Sequence, residues 1–327
     1  MSETLEYPVS TTEEVVAELR HRSHFVMVSH LKPDGDTLGA GLALGLALKS
    51  LGKHVWYFQE GAVPRNLRFL PDAGLVTHAL PSDLPADTLF VFCDMGNMSR
   101  AGETLPALRR DNILDIDHHL GNEGFGAFNY VLDDECSTGT CVLRLLRQLG
   151  AEITPQIATC LLTTIMTDTG GFIHSNTTAE VLRTSAWLIE LGADKELVTE
   201  EIFANKRFAA QKLLGAVLAR AVLDDAGRYC WSVIDQQLID ELGADYEDTE
   251  DIVNQLRAVE GVEVAALFKD FEGAVRVSLR SSGHVNVAAV ASRLGGGGHF
   301  RASGLTYPGN LQEAIAGVHS ALYAEGL

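Results

Sequence analysis

Four short stretches place acids and histidines where apolar runs end. "HLKPDGD" carries His30, Asp34 and Asp36, "FCDMG" carries Asp94, "LDIDHH" carries Asp117, His118 and His119, and "TIMTDTGG" carries Asp168. Carboxylates gathered in one site repel one another and take up protons unless a cation neutralises them. Mixed carboxylate and imidazole ligands suit Mn2+, Fe2+ or Zn2+ better than Ca2+. Five carboxylates and three histidines are enough for two ions sharing a bridging carboxylate. Such a pair activates water and stabilises both oxygens of an in-line phosphoryl displacement. Plainer readings exist for single members: Asp36 could serve only as a helix N-cap, and Asp34 only as a turn residue after Pro33.

For these residues to meet, the runs that deliver them must lie side by side. Residues 24–30, 54–58, 88–94 and 112–117 are short apolar runs ending in polar or acidic residues, and residues 36–51 between the first two have helical character. Continuous apolar strands alternating with helices predict a parallel sheet covered on both faces, with ligands outside the carboxyl ends of its strands. "STGTCVLRLLRQLG" and "TPQIATCLLTTIMTDTG" read as helices, the second with Thr154 as N-cap and Pro155 in first position. The glycine-rich "LGAGLALGLALKSLG" reads as a buried helix packed closely on the sheet, and further helix is expected from Thr178 to about Ala221. Past Gly227 the pattern predicts a strand at "RYCWSVID", an acidic helix over Asp248–Arg257, a hairpin turning near Asp270–Gly273, and a helix over Val285–Leu294 running into "GGGGH". The expected class is α/β: a doubly wound, mainly parallel domain at 1–190, a helical connector at 191–215, and a smaller α+β domain at 216–327.

The second domain offers a separate clue. Between Glu272 and Glu313 there is no Asp or Glu, while Arg276, Arg280, Arg293, Arg301, His284 and His299 fall inside that interval. Glycine runs let backbone N–H groups approach an anion, and guanidinium forks bind phosphate bidentately. Gly296, Gly297, Gly298, His299 and the flanking arginines therefore read as a phosphate cradle. Arg276 and Arg280 share strand parity and could line one face. Phe172, Phe300 and Tyr307 could stack on a base or belong to cores. Lys32 and Arg100, near the metal motifs, could touch phosphate or lie on the surface.

These motifs, in this order over about residues 20–310, resemble the DHH phosphoesterases. The first resembles the family's His and Pro-Asp-x-Asp motif, Asp94 its isolated strand-end acid, and Asp117-His118-His119 its namesake triplet. Asp168 resembles its late acid, and "GGGGHFRASG" the signature of its associated substrate-binding domain. "SNTT" and "VRVSLRSS" look like the short two-domain nanoRNase and 3′-phosphoadenosine-5′-phosphate phosphatase group. The resemblance implies one metal on His30, Asp34 and Asp94, and another on Asp36, His118, Asp168 and the bridging Asp94. It implies two divalent ions, Mn2+ first, with Mg2+, Co2+ or Fe2+ as alternatives. His119 would face the substrate phosphate, Asp117 would orient a neighbouring histidine, and Arg276, Arg280 and Ser281 would join the glycine run at the substrate. Two departures are visible: "TLGA" after Asp36 where the family often has "ALGS", and His174 where an aromatic is common.

The implied activity is hydrolysis of short 5′-phosphorylated oligonucleotides to mononucleotides, or dephosphorylation of 3′-phosphoadenosine 5′-phosphate, in a cleft between the two domains. The rivals are a cyclic- or linear-dinucleotide phosphodiesterase, a RecJ-type exonuclease, which lacks an evident extra oligonucleotide-binding domain here, and a non-enzymatic nucleotide sensor. Inorganic pyrophosphatase shares the first motifs, but "GGGGH" and "SLRS" speak against it.

Bulk properties narrow the partners. At 327 residues the chain can bury two cores. Its net charge of −19 disfavours coating duplex DNA and favours short single-stranded RNA or DNA or small nucleotides. Five scattered cysteines without a CxxC pair suit reduced, buried thiols, and the acidic start "MSETLEYPVSTTEE" is no signal peptide. A cytoplasmic protein without membrane association is expected, and a homodimer is compatible with the sequence.

Overall fold

The structure, a computed structural model, describes residues 7–271 and 273–327. The first six residues and Glu272, within the expected hairpin turn, lie outside that description. The chain forms two compact units, the first ending at Asn205 and the second running from Lys206 to Leu327.

The first unit contains α1 (Thr12–His21), β1 (His24–Val28), α2 (Gly35–Ser50), β2 (His54–Phe58), β3 (Val76–Thr77), β4 (Leu89–Cys93), β5 (Ile113–Asp117), β6 (Phe128–Val131), α3 (Thr138–Leu149), α4 (Pro155–Asp168), α5 (Ala179–Glu190) and α6 (Lys195–Thr199). Its six strands are all parallel in the order β3-β2-β1-β4-β5-β6. The order reverses between β1 and β4, which opens a crevice at their carboxyl ends. One face of the sheet packs Phe25, Met27, Val91 and Leu114 against helices. The other packs Val26, Val28, Phe90 and Phe92 against loops and 3₁₀ turns that bring Leu80, Leu105 and Phe125, so only one layer consists of long helices.

Helix α2 packs closely against α4 because its glycines leave room. A Cβ on Gly39 would meet the Cys160 carbonyl at 2.8 Å, and one on Gly35 would overlap Thr167. The sheet makes the same demand elsewhere on α2, since a Cβ on Gly45 would overlap the Tyr57 ring of β2. Buried threonines of α4 satisfy their own hydroxyls, as Thr163 Oγ1 donates to Thr159 O at 2.9 Å and Thr164 Oγ1 to Leu161 O at 2.7 Å. Thr154 caps α4 and Pro155 opens it, as the sequence predicts.

The expected helix from Thr178 to Ala221 is broken. After α5, Gly192 takes φ +94°, and Asp194 then caps α6. A π turn at Glu200–Ala204 ends that helix. The second unit contains α7 (Phe208–Ala219), β7 (Val222–Leu223), β8 (Tyr229–Asp235), α8 (Gln236–Leu242), α9 (Ile252–Arg257), β9 (Val264–Phe271), β10 (Ala274–Ser281), α10 (Val287–Arg293), β11 (Gly297–His299), β12 (Ala302–Tyr307) and α11 (Leu311–Ala324). Its sheet runs β11-β12-β10-β9-β8-β7, with only the β8–β9 pair parallel. Helices α10 and α11 cover one face, and α7, α8 and α9 the other. The acidic helix is shorter than expected, beginning at Ile252 after a 3₁₀ turn at Glu247–Thr249. Among the described residues no helix is long and apolar enough to cross a membrane, and all five cysteines are free and buried.

Candidate metal centre and phosphate site

Three neighbouring strands deliver the chemistry. His30 follows β1, Asp94 follows β4, and Asp117 ends β5 with His118 and His119 directly after it. The crossover that sets β4 beside β1 brings His30 Nε2 to 3.5 Å from Asp94 Oδ2. Asp94 takes φ +63°, a left-handed conformation that non-glycine residues adopt sparingly and that clusters at functional sites. Its Oδ1 lies 3.6 Å from His118 Nε2 and 3.4 Å from His119 Nδ1.

Helix termini supply the other acids. Asp34, not Asp36, caps α2: its Oδ1 accepts from Asp36 N at 3.0 Å and Thr37 N at 3.1 Å, while Oδ2 faces His30 Nε2 at 3.8 Å. One carboxylate thus fills both the turn role and a place in the cluster. Asp36 sits fully buried in the first turn and accepts from the backbone N–H groups of Thr138 at 2.7 Å and Gly139 at 3.0 Å. The start of α3 is thereby spent on an acid, as helix N-termini favour. Asp168, ending α4, has Oδ2 3.1 Å from His118 Nε2. His118 Nδ1 lies 3.2 Å from Glu135 O, which turns Nε2 toward the acids.

Three groups have ligand atoms close enough to share an ion: His30, Asp34 and Asp94; Asp36, His118 and Asp168; and Asp94, His118 and His119. Separations of 3.1–3.8 Å within these groups suit ligands placed about 2.1 Å from a common ion. His30 Nε2 is buried without a hydrogen-bond partner, an arrangement that is costly for a polar atom unless something else engages it. Electrostatics agree. Burial first, then Asp168 and Asp94, pushes the Asp36 carboxyl well above the ordinary range. Burial opposes charge on His118, but its hydrogen bond to Asp168 and the fields of Asp36, Asp168 and Asp94 outweigh this and raise its pKa. A cation would relieve the crowding that causes both shifts, so the residues fit a divalent metal.

Residues outside the motifs complete the support. Thr138 Oγ1 donates to Asp94 Oδ1 at 3.2 Å, and Arg100 Nη1 donates to Asp94 O at 3.3 Å. Asn176 of "SNTT" donates to Cys136 O and Asp168 O, both at 3.2 Å. His174 is exposed, with Nδ1 3.2 Å from Asp168 O. Asp117 is wholly buried, and its Oδ1 lies 2.7 Å from His119 Nδ1. A sequence cue for Thr138 existed: Ser137 is an N-cap residue opening a helix, so the next N–H groups were due an acceptor.

The second unit meets its expectations unevenly. A Cβ on Gly298 would meet Ala302 O at 2.6 Å, and one on Gly296 would overlap Gly304 and Leu305, so close approach to β12 already requires these glycines. Gly297 has no such neighbour and remains open to an approaching group. The His299 side chain lies outside the described structure. Arg276 and Arg280 do project from one face, opposite Val275, Val277 and Leu279. They then diverge. Arg276 lies over the Tyr246 ring at 5.3 Å, beside a cavity of ≈ 500 Å³ lined by Tyr246, Phe271, Gln236 and Asp240. Arg280 is half-buried, its pKa lowered by burial, with the acids Asp251 and Glu250 opposing that shift. The acid-free interval in sequence is thus not acid-free in space. Arg293 pairs with Glu325 at 2.7 Å, whereas Arg301 is exposed. Ser281 is buried on the core side of β10, its Oγ without a partner. Phe300 is exposed, whereas Phe172 and Tyr307 pack on the two cores.

Comparison with known proteins accounts for both units. Residues 24–165 match the N-terminal domain of the DHH family, and residues 227–324 match the DHHA1 domain. The bifunctional oligoribonuclease and PAP phosphatase NrnA of Thermus thermophilus is 35% identical over 91% of this chain and 89% of its own. Its namesake from Bacillus subtilis is 23% identical over 85% and 88% of the two chains. An exopolyphosphatase-related protein from Bacteroides fragilis, 24% identical, shares the fold with a TM-score of 0.86 over 96% of this chain and 95% of its own. The chain belongs to the DHH family, pairing a DHH domain with a DHHA1 domain.

Proposed function

We propose that this chain is a two-metal phosphoesterase that hydrolyses short 5′-phosphorylated oligonucleotides to mononucleotides and dephosphorylates 3′-phosphoadenosine 5′-phosphate. The hydrolase class follows from its NrnA relatives, named bifunctional oligoribonuclease and PAP phosphatase. The observation that carries the site is the pair of ligand groups on either side of Asp94. In this reading His30, Asp34 and Asp94 hold one ion, and Asp36, His118 and Asp168 hold the other with Asp94 between them. Bound there, divalent ions supply an activated water and neutralise charge on the phosphate. The mixed imidazole and carboxylate ligands suit Mn2+, Fe2+ or Zn2+, and the resemblance to the family puts Mn2+ first.

The chain's own groups do the rest. His119, with Nδ1 held by Asp117, would face a phosphate oxygen. Its pKa is raised because the Asp117 hydrogen bond and the charges of Asp94 and Asp117 outweigh burial, which makes it a donor to developing negative charge. Gly297 and Arg301 remain available to a terminal phosphate. Arg280, whose charge burial disfavours, gains from an anionic partner.

Activity assays with Mn2+ test the assignment. Asp94→Ala abolishes turnover, because both ligand groups lose their shared acid, whereas Arg280→Ala raises KM ~10-fold or more with kcat largely kept. Wild-type turnover by the Asp94 variant would sink the mechanism. A substrate panel from dinucleotides to long strands, with 3′-phosphoadenosine 5′-phosphate, cyclic dinucleotides and pyrophosphate, tests the substrate class. Preference for pyrophosphate or long strands overturns it.

A further inference from the structure

Behind the DHH triplet lies a second buried acid that no step above uses. Asp115 and Asp117 stand two apart on β5 and so share a face of the strand, and both are 0% exposed. One Asn122 Nδ2 lies 2.7 Å from Asp115 Oδ2, 2.7 Å from Asp117 Oδ2 and 3.2 Å from Met95 O. The orientation of this amide is set by its oxygen, which accepts from Gly124 N at 2.8 Å and from Tyr7 Oη at 2.8 Å. Gly124, at φ +63°, has the Tyr7 ring packed where a Cβ would stand. The chain just beyond Tyr7 is tied down by Ser10, whose N–H donates to Asn129 O at 2.7 Å.

We propose that Tyr7, Asn122 and Asp115 are positioning residues for His119, acting through Asp117, with Asp115 in its acid form. The crowding of two buried carboxyls at one amide favours that form. An amide nitrogen has two protons, and here it faces three acceptors, two of them carboxyls. Two like charges converging on one amide repel each other, which favours a proton on one carboxyl. Asp117 cannot readily be that one, since its Oδ1 already receives His118 N at 2.8 Å, His119 N at 3.3 Å and His119 Nδ1 at 2.7 Å. Asp115 Oδ1 is buried with no partner, as suits a neutral acid rather than a carboxylate. The pKa of Asp115 agrees in direction, raised by burial first and by Asp117 next. The chain of contacts runs from the N-terminal segment through Tyr7, Asn122 and Asp117 to His119. It holds Asp117 Oδ1 against the Nδ1 side of the His119 ring. The catalytic consequence rests on the reading of His119 as the phosphate-facing group.

The test compares Tyr7→Phe, Asn122→Ala, Asp115→Ala and Asp115→Asn in the full-length Mn2+ enzyme, with imidazole 15N–1H spectra of each protein without metal. Asn122→Ala is expected to lower kcat ~10–100-fold with KM little changed, and Tyr7→Phe ~2–10-fold. Asp115→Asn, a neutral isostere that keeps an acceptor for Asn122, is expected to recover ~10-fold of what Asp115→Ala loses. The His119 Nδ1–H resonance is expected in wild type and Asp115→Asn, and absent from Asn122→Ala. Should Asn122→Ala not fold, Tyr7→Phe and Asp115→Asn carry the same comparison. An Asp115→Asn enzyme no better than Asp115→Ala would show that Asp115 acts as an anion, and an unchanged kcat and resonance in Asn122→Ala would end the proposal. A His119→Ala enzyme with wild-type kcat, alongside a resonance that still depends on Asn122, would sink the phosphate-facing role and leave the positioning chain standing.

Discussion

A residue's type announced its chemistry here more clearly than its role. Asp34 and Asp36 sit in one heptapeptide, yet one caps a helix at its exposed start while the other is buried against the N-terminus of a different helix. Sequence offers the cap role to Asp36 and a turn role to Asp34. Both precede helical residues, and spacing does not say which carboxylate turns back on the helix start. The helix start marked the Thr138 N–H but not its hydroxyl, which gives Asp94 a side-chain hydrogen bond. Replacing it by the isosteric Val leaves the backbone bond to Asp36 and removes only this donor. A hydrogen bond to a charged group is worth about 1.5–3 kcal/mol. Thr138→Val is therefore expected to lower kcat ~10-fold or more and to lower the unfolding temperature of the first unit as well. Equal turnover at saturating metal would show that the donor is dispensable.

Among the elements, α2 and α4 matter most because each carries ligand candidates at one end. Their close approach depends on Gly39, where a Cβ would press on Cys160 O and Thr164. Gly39→Val is expected to cost about 1–3 kcal/mol or more by overpacking, and to separate Asp36 from Asp168 so that metal affinity falls as well. Unfolding curves together with a metal titration check both parts. Helix α11 invites a different test. His319 meets Tyr229 edge-on at 5.0 Å between ring centroids, and its buried Nε2 has no partner. Burial lowers its pKa, so below the ordinary value near 6.5 the unfolded chain binds a proton that the folded one resists. The His319 contribution to stability is therefore present above that value and lost as pH falls through the lowered one. Fluorescence of Trp231, which packs on His319, should show the second unit losing stability in mild acid, with His319→Phe removing that part of the pH dependence. Parallel pH curves for the two proteins would refute it.

For the whole molecule, charge and the division into units set the terms. A net charge of −19 opposes long polyanions, whereas a small substrate needs only a local cluster of cations and metal. Each unit has its own hydrophobic cores, and all three ligand groups lie in the first. Added Mn2+ is accordingly expected to stabilise the first unit against unfolding, by about 2.7 kcal/mol per bound ion at a hundredfold excess over Kd. The second unit, reported by Trp231, should shift far less. A chelator should reverse the effect, and an equal response in both units would argue against a site confined to the first.

What could be read without the structure was whatever short-range physics controls. Apolar runs of strand length, the Thr154-Pro155 helix start and the strand-end triplet all depend on residues a few positions apart, and each appears where the sequence places it. The breaks between Thr178 and Ala221 escaped because a π turn and a left-handed glycine are small departures within helical periodicity. Tertiary structure decided what depends on strand order and burial. The crossover placing β4 beside β1 joins His30 to Asp94, folding brings Asp251 and Glu250 to Arg280 from outside the acid-free interval, and Asn122 turns two buried aspartates into an interacting pair. Linear spacing is blind to such meetings, because they are made by segments distant in the chain that bury their surfaces together.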